Sequence, residues 1–186
     1  MSGYLQHFKM RYRFLFIVLL FFTVSCSDGD IDIASFEFEE TVHVCKSDVY
    51  TLYRLSDNGH REALIVTLTD KEIKQSEDVV PPVSVSLNGF QTVTDRVFEK
   101  EVTSSYFCSV VPPAEPKVVK DWRGVSGYIL IKNEAVYNEE HTEIIAYKHK
   151  IVLNDVVLES GDETLIFDDA YLYGIFETEV IPEVGP

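Results

Sequence analysis

The sequence predicts an all-β protein, an antiparallel β-sandwich or partly open barrel, forming a single domain after an N-terminal signal peptide. Three observations predict it. Short runs rich in Tyr, Phe, Val, Ile and Thr recur from Phe36 nearly to the C-terminus, and these residues suit a pleated, half-buried surface. Hairpin-type pairs punctuate the runs at Asn58-Gly59, Asn88-Gly89 and Asn154-Asp155. The chain has 186 residues, 46% hydrophobic and 12% aromatic, enough to bury a core.

The first element is "FLFIVLLFFTV", Phe14 to Val24, uncharged and preceded by "KMRYR". As a helix at ~1.5 Å per residue it would reach about 17 Å, short of a ~30 Å bilayer core. A positive start, a short apolar run and a small residue before the cut describe a signal peptide over residues 1–25, with Met1 or Met10 as the start. The alternative, a buried core helix, fits poorly with a stretch apolar on every face. "TVSC", Thr23 to Cys26, resembles the lipobox of bacterial lipoproteins, although Thr23 stands where that family usually has Leu. The resemblance implies cleavage between Ser25 and Cys26 and lipid attachment at Cys26, hence a membrane partner through the anchor. One acyl chain holds only marginally, whereas two or three hold firmly.

Residues 26–33 read as a flexible acidic tether. "SDGDID" resembles the Ser-Asp-rich tether by which some Gram-negative lipoproteins reach the outer face of the outer membrane, which implies an envelope, surface-exposed location. Asp28, Asp30, Asp32 and Glu39 also have calcium-loop spacing, but Ile33 occupies the position where that turn needs glycine. No metal and no cofactor is expected.

Residues 34–181 form the β-rich domain. "YTLYRLSDNGHREALIVTL" is its clearest hairpin, and "VSVSLNGFQTV" and "HKIVLNDVVLE" repeat the pattern. "RVFEKEVTSSYFCSV", "GYILIKN", "TEIIAYKHK", "ETLIFDD" and "LYGIFETEV" complete nine or ten short strands. "TDKEIKQSED" reads as a short helix or a loop. "VVPP" occurs at Val79–Pro82 and Val110–Pro113, and proline marks strand crossings or edges. The stretch 111–124 could therefore join two similar halves; chance likeness among hairpins is the plainer account.

With Cys26 taken by lipid, Cys45 and Cys108 remain as a disulfide pair or as two buried thiols. A bond closing a loop of about 64 residues is worth roughly 4 kcal/mol in the chain-entropy treatment. Trp122, the single tryptophan, is either a core plug or a recognition aromatic on a loop, and Tyr171 and Tyr173 could extend a recognition surface.

Net charge is −15, and the first 25 residues hold Lys9, Arg11 and Arg13 and no acid, so the remainder carries −18. Phosphate backbones repel such a body, which argues against nucleic acid as a partner. No catalytic residues are assigned. "GVSG", Gly124 to Gly127, lacks the spacing of a nucleophile elbow. His43, His60, His141 and His149 have no zinc spacing, "NEEH" reads first as a loop tip, and Asp168 and Asp169 would face opposite ways on a strand. The expected function is a non-enzymatic binding or structural lipoprotein with a protein or carbohydrate ligand. The alternatives are an envelope carbohydrate-active enzyme with a carboxylate pair drawn from distant strands, and a secreted soluble β domain.

Overall fold

The computed structural model describes residues 37–109, 111 and 113–180. The stretches expected to be a signal peptide (1–25) and an acidic tether (26–33), with Ser25 and Cys26, lie outside the described residues. The strands are β1 (His43–Lys46), β2 (Tyr50–Leu55), β3 (Glu62–Leu68), β4 (Val83–Ser84), β5 (Thr92–Phe98), β6 (Val118–Tyr137), β7 (Ile144–Ser160) and β8 (Glu163–Glu179), with one short helix, α1 (Ser104–Cys108). The all-β, antiparallel expectation holds. One sheet runs in the order β1-β2-β3-β5-β6-β7-β8, and β4 pairs with β6 beside that path. The sheet is not closed into a barrel, since β1 and β8 end the path.

Three strands are far longer than the short runs expected. At ~3.3 Å per residue a straight β6 of 20 residues would span about 65 Å. A domain of this size has a radius of gyration near 15 Å, so the strand must bend. Bulges supply the bend. In β6 the buried positions shift from Trp122 and Gly124 to Ile129, Ile131 and Asn133, a change of parity across the register breaks at 124–128. β7 changes parity between Leu153 and Val156, at Asp155, which has φ +52°. β8 changes between Tyr173 and Phe176, at Gly174. Asn154-Asp155 is therefore a bulge inside β7 and not a hairpin turn; the turns lie at 138–143 and 161–162.

Other expectations need correction. The Asp57-Asn58-Gly59 hairpin forms as read, pairing Tyr50 with Leu68 through Leu55 with Ala63. Around Asn88-Gly89, by contrast, the two sides do not make a ladder with each other: β4 pairs with Tyr128 and Ile129 of β6. "RVFEKEVTSSYFCSV" is not one strand, because β5 ends at Phe98 and α1 follows. Residues 118–124, read as part of a linker, open β6.

Bending brings β8 over β2 and β3. Tyr173 Oη donates to the Leu64 carbonyl at 3.1 Å, and Phe167, Tyr173 and Phe176 share a core with Leu52, Leu64, Val66 and Trp122. On the opposite face of β2–β3 a second core forms from Tyr53, Leu55, Ala63, Ile65, Phe98 and Val102, covered by Tyr106 and Phe107. Tyr53 stacks on Phe107 at 4.1 Å between ring centroids. Cys45 and Cys108 are joined in a disulfide, which ties the end of α1 to β1. Covered on both faces, β2 and β3 are buried along nearly every residue, hence their almost unbroken apolar sequences.

Candidate functional site

Strand register places four side chains in a row across the inner face: Arg54 opposite Leu64, Leu64 opposite Asp95, and Asp95 opposite Trp122. Residues directly opposite in an antiparallel ladder share a face. Charged groups at these positions are costly unless paired, and each has its own solution. Arg54, 8% exposed, spends its guanidinium on backbone: Nε donates to Glu39 O at 2.6 Å, Nη2 to Phe38 O at 2.9 Å and Nη1 to Tyr173 O at 2.7 Å. Nη1 also reaches Tyr171 Oη at 3.3 Å. It thereby bridges the segment before β1 to the outer strand β8, across the open seam of the sheet. Val42 packs at Gly174 there, where any side chain would collide with it. A recess of about 340 Å³ opens beside this bridge, lined by Glu40, Arg54, Leu172, Tyr173, Gly174 and Ile175.

Asp95 is fully buried, and burial together with the Glu62 carboxylate pushes its carboxyl up to about 9. Neither of its oxygens meets a donor in full hydrogen-bond geometry, and the downward pull of the Arg96 amide is outweighed by burial and by Glu62. As a neutral acid it becomes the donor and Glu62 the acceptor. Its neighbour Trp122 is 1% exposed with Nε1 unbonded, and Lys120 Nζ sits 4.4 Å from the indole centroid.

Burial decides the aromatic assignments. Trp122 is on β6 and 1% exposed, which is the core-plug alternative, and its expected place on a loop is corrected. Tyr173, fully buried with its hydroxyl on Leu64, is likewise unavailable to a ligand. Tyr171 is half-buried against Phe167 and Arg54. His149 is also interior. Its Nδ1–H donates to Asn133 Oδ1 at 2.6 Å, and Nε2 accepts from Thr178 Oγ1 at 2.8 Å. Burial pushes this imidazole down to about 4, so it is neutral. Gly124 to Gly127 lie in the β6 bulge. Among the described residues no group of three or more His, Cys, Asp or Glu could hold a metal ion.

Sequence reading passed over a second place on the outer face. Arg96 and Arg123 flank Asp121: Arg96 binds it through two bonds of 2.6 and 2.9 Å, and Arg123 Nη2 touches it at 3.3 Å. Thr94 is the register partner of Arg123. Arg96, Arg123 and Thr94 line a concavity of about 190 Å³ together with Ser86, Leu87 and Thr92. Gly124 also borders it, and its missing side chain faces the core, where a Cβ would meet Val85 Cγ1 at 2.5 Å and the Val93 carbonyl at 3.1 Å. The rim is the loop Ser86–Gln91, closed by Ser86 N–H to Gln91 O at 2.9 Å and tied by Gln91 Nε2 to Glu72 Oε1 at 3.2 Å. The outward parity of Thr92, Thr94 and Arg96 was visible in "TVTDRVF"; their meeting with Arg123 depended on strand order.

Fold and sites together define an all-β protein whose antiparallel sheet rolls onto itself, with a polar interior row, a recess at the Arg54 seam and a concavity lined by Arg96 and Arg123 on the outer face. Comparison with protein-family models, curated proteins and solved structures finds no significant match.

Proposed function

We propose that the chain is a lipoprotein of the bacterial envelope, held at the outer membrane through lipid on Cys26, with the rolled sheet acting as a non-enzymatic binding or structural module. The accounting of cysteines carries the reading. Of three cysteines, Cys45 and Cys108 are bonded to each other, so Cys26 has no cysteine left in the chain to pair with. Disulfides persist in oxidising compartments, and a single cysteine directly after an apolar export segment is the one that lipidation would consume.

The interior chemistry favours a module over a glycosidase. Such an enzyme needs two carboxyl groups facing one cleft. Asp95 and Glu62 are 0% and 8% exposed beneath the β8 layer, where no sugar reaches them. Metabolic labelling with a palmitate analogue tests the anchor: wild type incorporates it and Cys26→Ala does not. Equal labelling of the two would sink lipid attachment at Cys26, and a wild type that takes up no label would favour a soluble secreted domain. Mass spectrometry under non-reducing conditions checks the cysteine accounting, because two alkylatable thiols in the body would remove its basis.

A further inference from the structure

The concavity between β5, β6 and the Ser86–Gln91 loop has the makings of a ligand site. Its two guanidinium groups differ. Arg96 is committed, with both arms of its fork on Asp121. Arg123 is not: its side chain is 64% exposed, and its one ion pair among the described residues is a single 3.3 Å contact with an Asp121 oxygen. Several N–H donors of Arg123 thus remain for a ligand.

The surroundings narrow the ligand class. Ser86, Thr92 and Thr94 bring three hydroxyl groups to the walls, each able to donate and accept. Leu87, 51% exposed at the rim, offers an apolar surface against which C–H groups can pack. The volume of about 190 Å³ is below the ~300–1,000 Å³ of sites for drug-sized ligands, so it suits one small molecule or one terminal residue of a polymer. A fork of parallel N–H donors matches a planar carboxylate in two-point fashion. A dianion fits worse, because Arg96 is already neutralised and the Asp121 carboxylate stands close by.

We propose that this concavity binds a sugar acid, free or as the end residue of an acidic polysaccharide, with Arg123 gripping the carboxylate and Ser86, Thr92 and Thr94 the ring hydroxyls. The site deepens the binding-module reading and rests on it, while remaining independent of the anchor.

Ligand-observed NMR titration of the full chain in detergent micelles tests the site, with glucuronate as the probe, glucose as the neutral control, and inorganic sulfate and phosphate as competitors. Glucuronate is expected to bind saturably and glucose at least about tenfold more weakly. Arg123→Ala lowers glucuronate affinity about tenfold or more, the loss expected when one charge-assisted two-point contact is removed. Arg123→Lys, which keeps the charge and loses the fork, recovers only a minor part of it. Melting temperature stays unchanged in both variants, because the side chain is exposed. Non-saturable glucuronate signals, full binding by Arg123→Ala, or displacement by sulfate or phosphate at concentrations below that of glucuronate would each overturn the assignment. Palmitate labelling is unaffected by any of these results, so failure of the site and failure of the anchor are read separately.

Discussion

Asp95 on β5 and Glu62 on β3 lie diagonally across one ladder on the inner face, where each carboxyl is buried within reach of the other's field. Asp95 is neutral when folded, with its carboxyl pushed up to about 9, and ionised at neutral pH when unfolded.

That difference has a sign. Between the ordinary aspartate value and about 9 the folded state binds more protons than the unfolded state, so stability from this group falls as pH rises through that window. Asp95→Asn keeps the shape and a donor toward Glu62 while removing the titration. The variant should be more stable than wild type at pH 7 by about 1–3 kcal/mol. The advantage should shrink toward pH 4, as measured by urea denaturation at several pH values. An advantage that does not vary with pH would refute the protonated state.

His149 acts in the opposite direction. Its folded value of about 4 lies below the unfolded ~6.5, so its contribution is complete above pH 6.5 and is lost as pH falls toward 4. NMR of the imidazole should show the neutral Nδ1–H tautomer unchanged through pH 6 to 5. A ring that titrates near 6.5 would contradict the Asn133–His149–Thr178 arrangement.

Arg54 holds the seam. Replacing it by Met keeps the stem but strands the carbonyls of Phe38, Glu39 and Tyr173. The expected cost is about 2–4 kcal/mol, and Arg54→Lys should recover little because one ammonium cannot reach three carbonyls in a fork. Hydrogen exchange should rise most at residues 38–42 and 171–175. Uniform loosening across the sheet would argue against a seam role.

Gly127 and Gly161 both have positive φ, +103° and +62°, yet their surroundings differ. A Cβ at Gly127 would lie 2.5 Å from the Asp155 carbonyl oxygen, where the bulges of β6 and β7 face each other, whereas Gly161 has open space. Gly161→Ala should cost about 1 kcal/mol and Gly127→Ala at least about 2–3 kcal/mol, compared by thermal denaturation. Equal costs would mean that the bulges relax freely.

Strand composition made the all-β class legible, and the Asn58-Gly59 turn gave the β2–β3 hairpin with its pairing. The long strands were not legible for a definite reason. At each bulge the alternation of buried and exposed residues changes parity, and a change of parity in sequence looks like the end of one strand and the start of another. Asn154-Asp155 shows this best, since the residue types that make a hairpin turn also tolerate the positive φ of a bulge. Asp95 carried a legible signal, a carboxyl at the inward parity of Val93 and Val97, but its partner Glu62 is supplied by a strand 33 positions earlier.

By itself, the sequence determined the strand-forming character of the body and its strong negative charge, because these depend on composition and on contiguous runs. Tertiary structure alone decided that Trp122 and Tyr173 are interior, that Arg54 bridges the seam, and that Arg96 is committed while Arg123 is not. Those outcomes depend on which strands become neighbours and where the sheet bends. Pairing and bending join residues far apart in the chain, and the energy of each contact exists only once both sides have arrived.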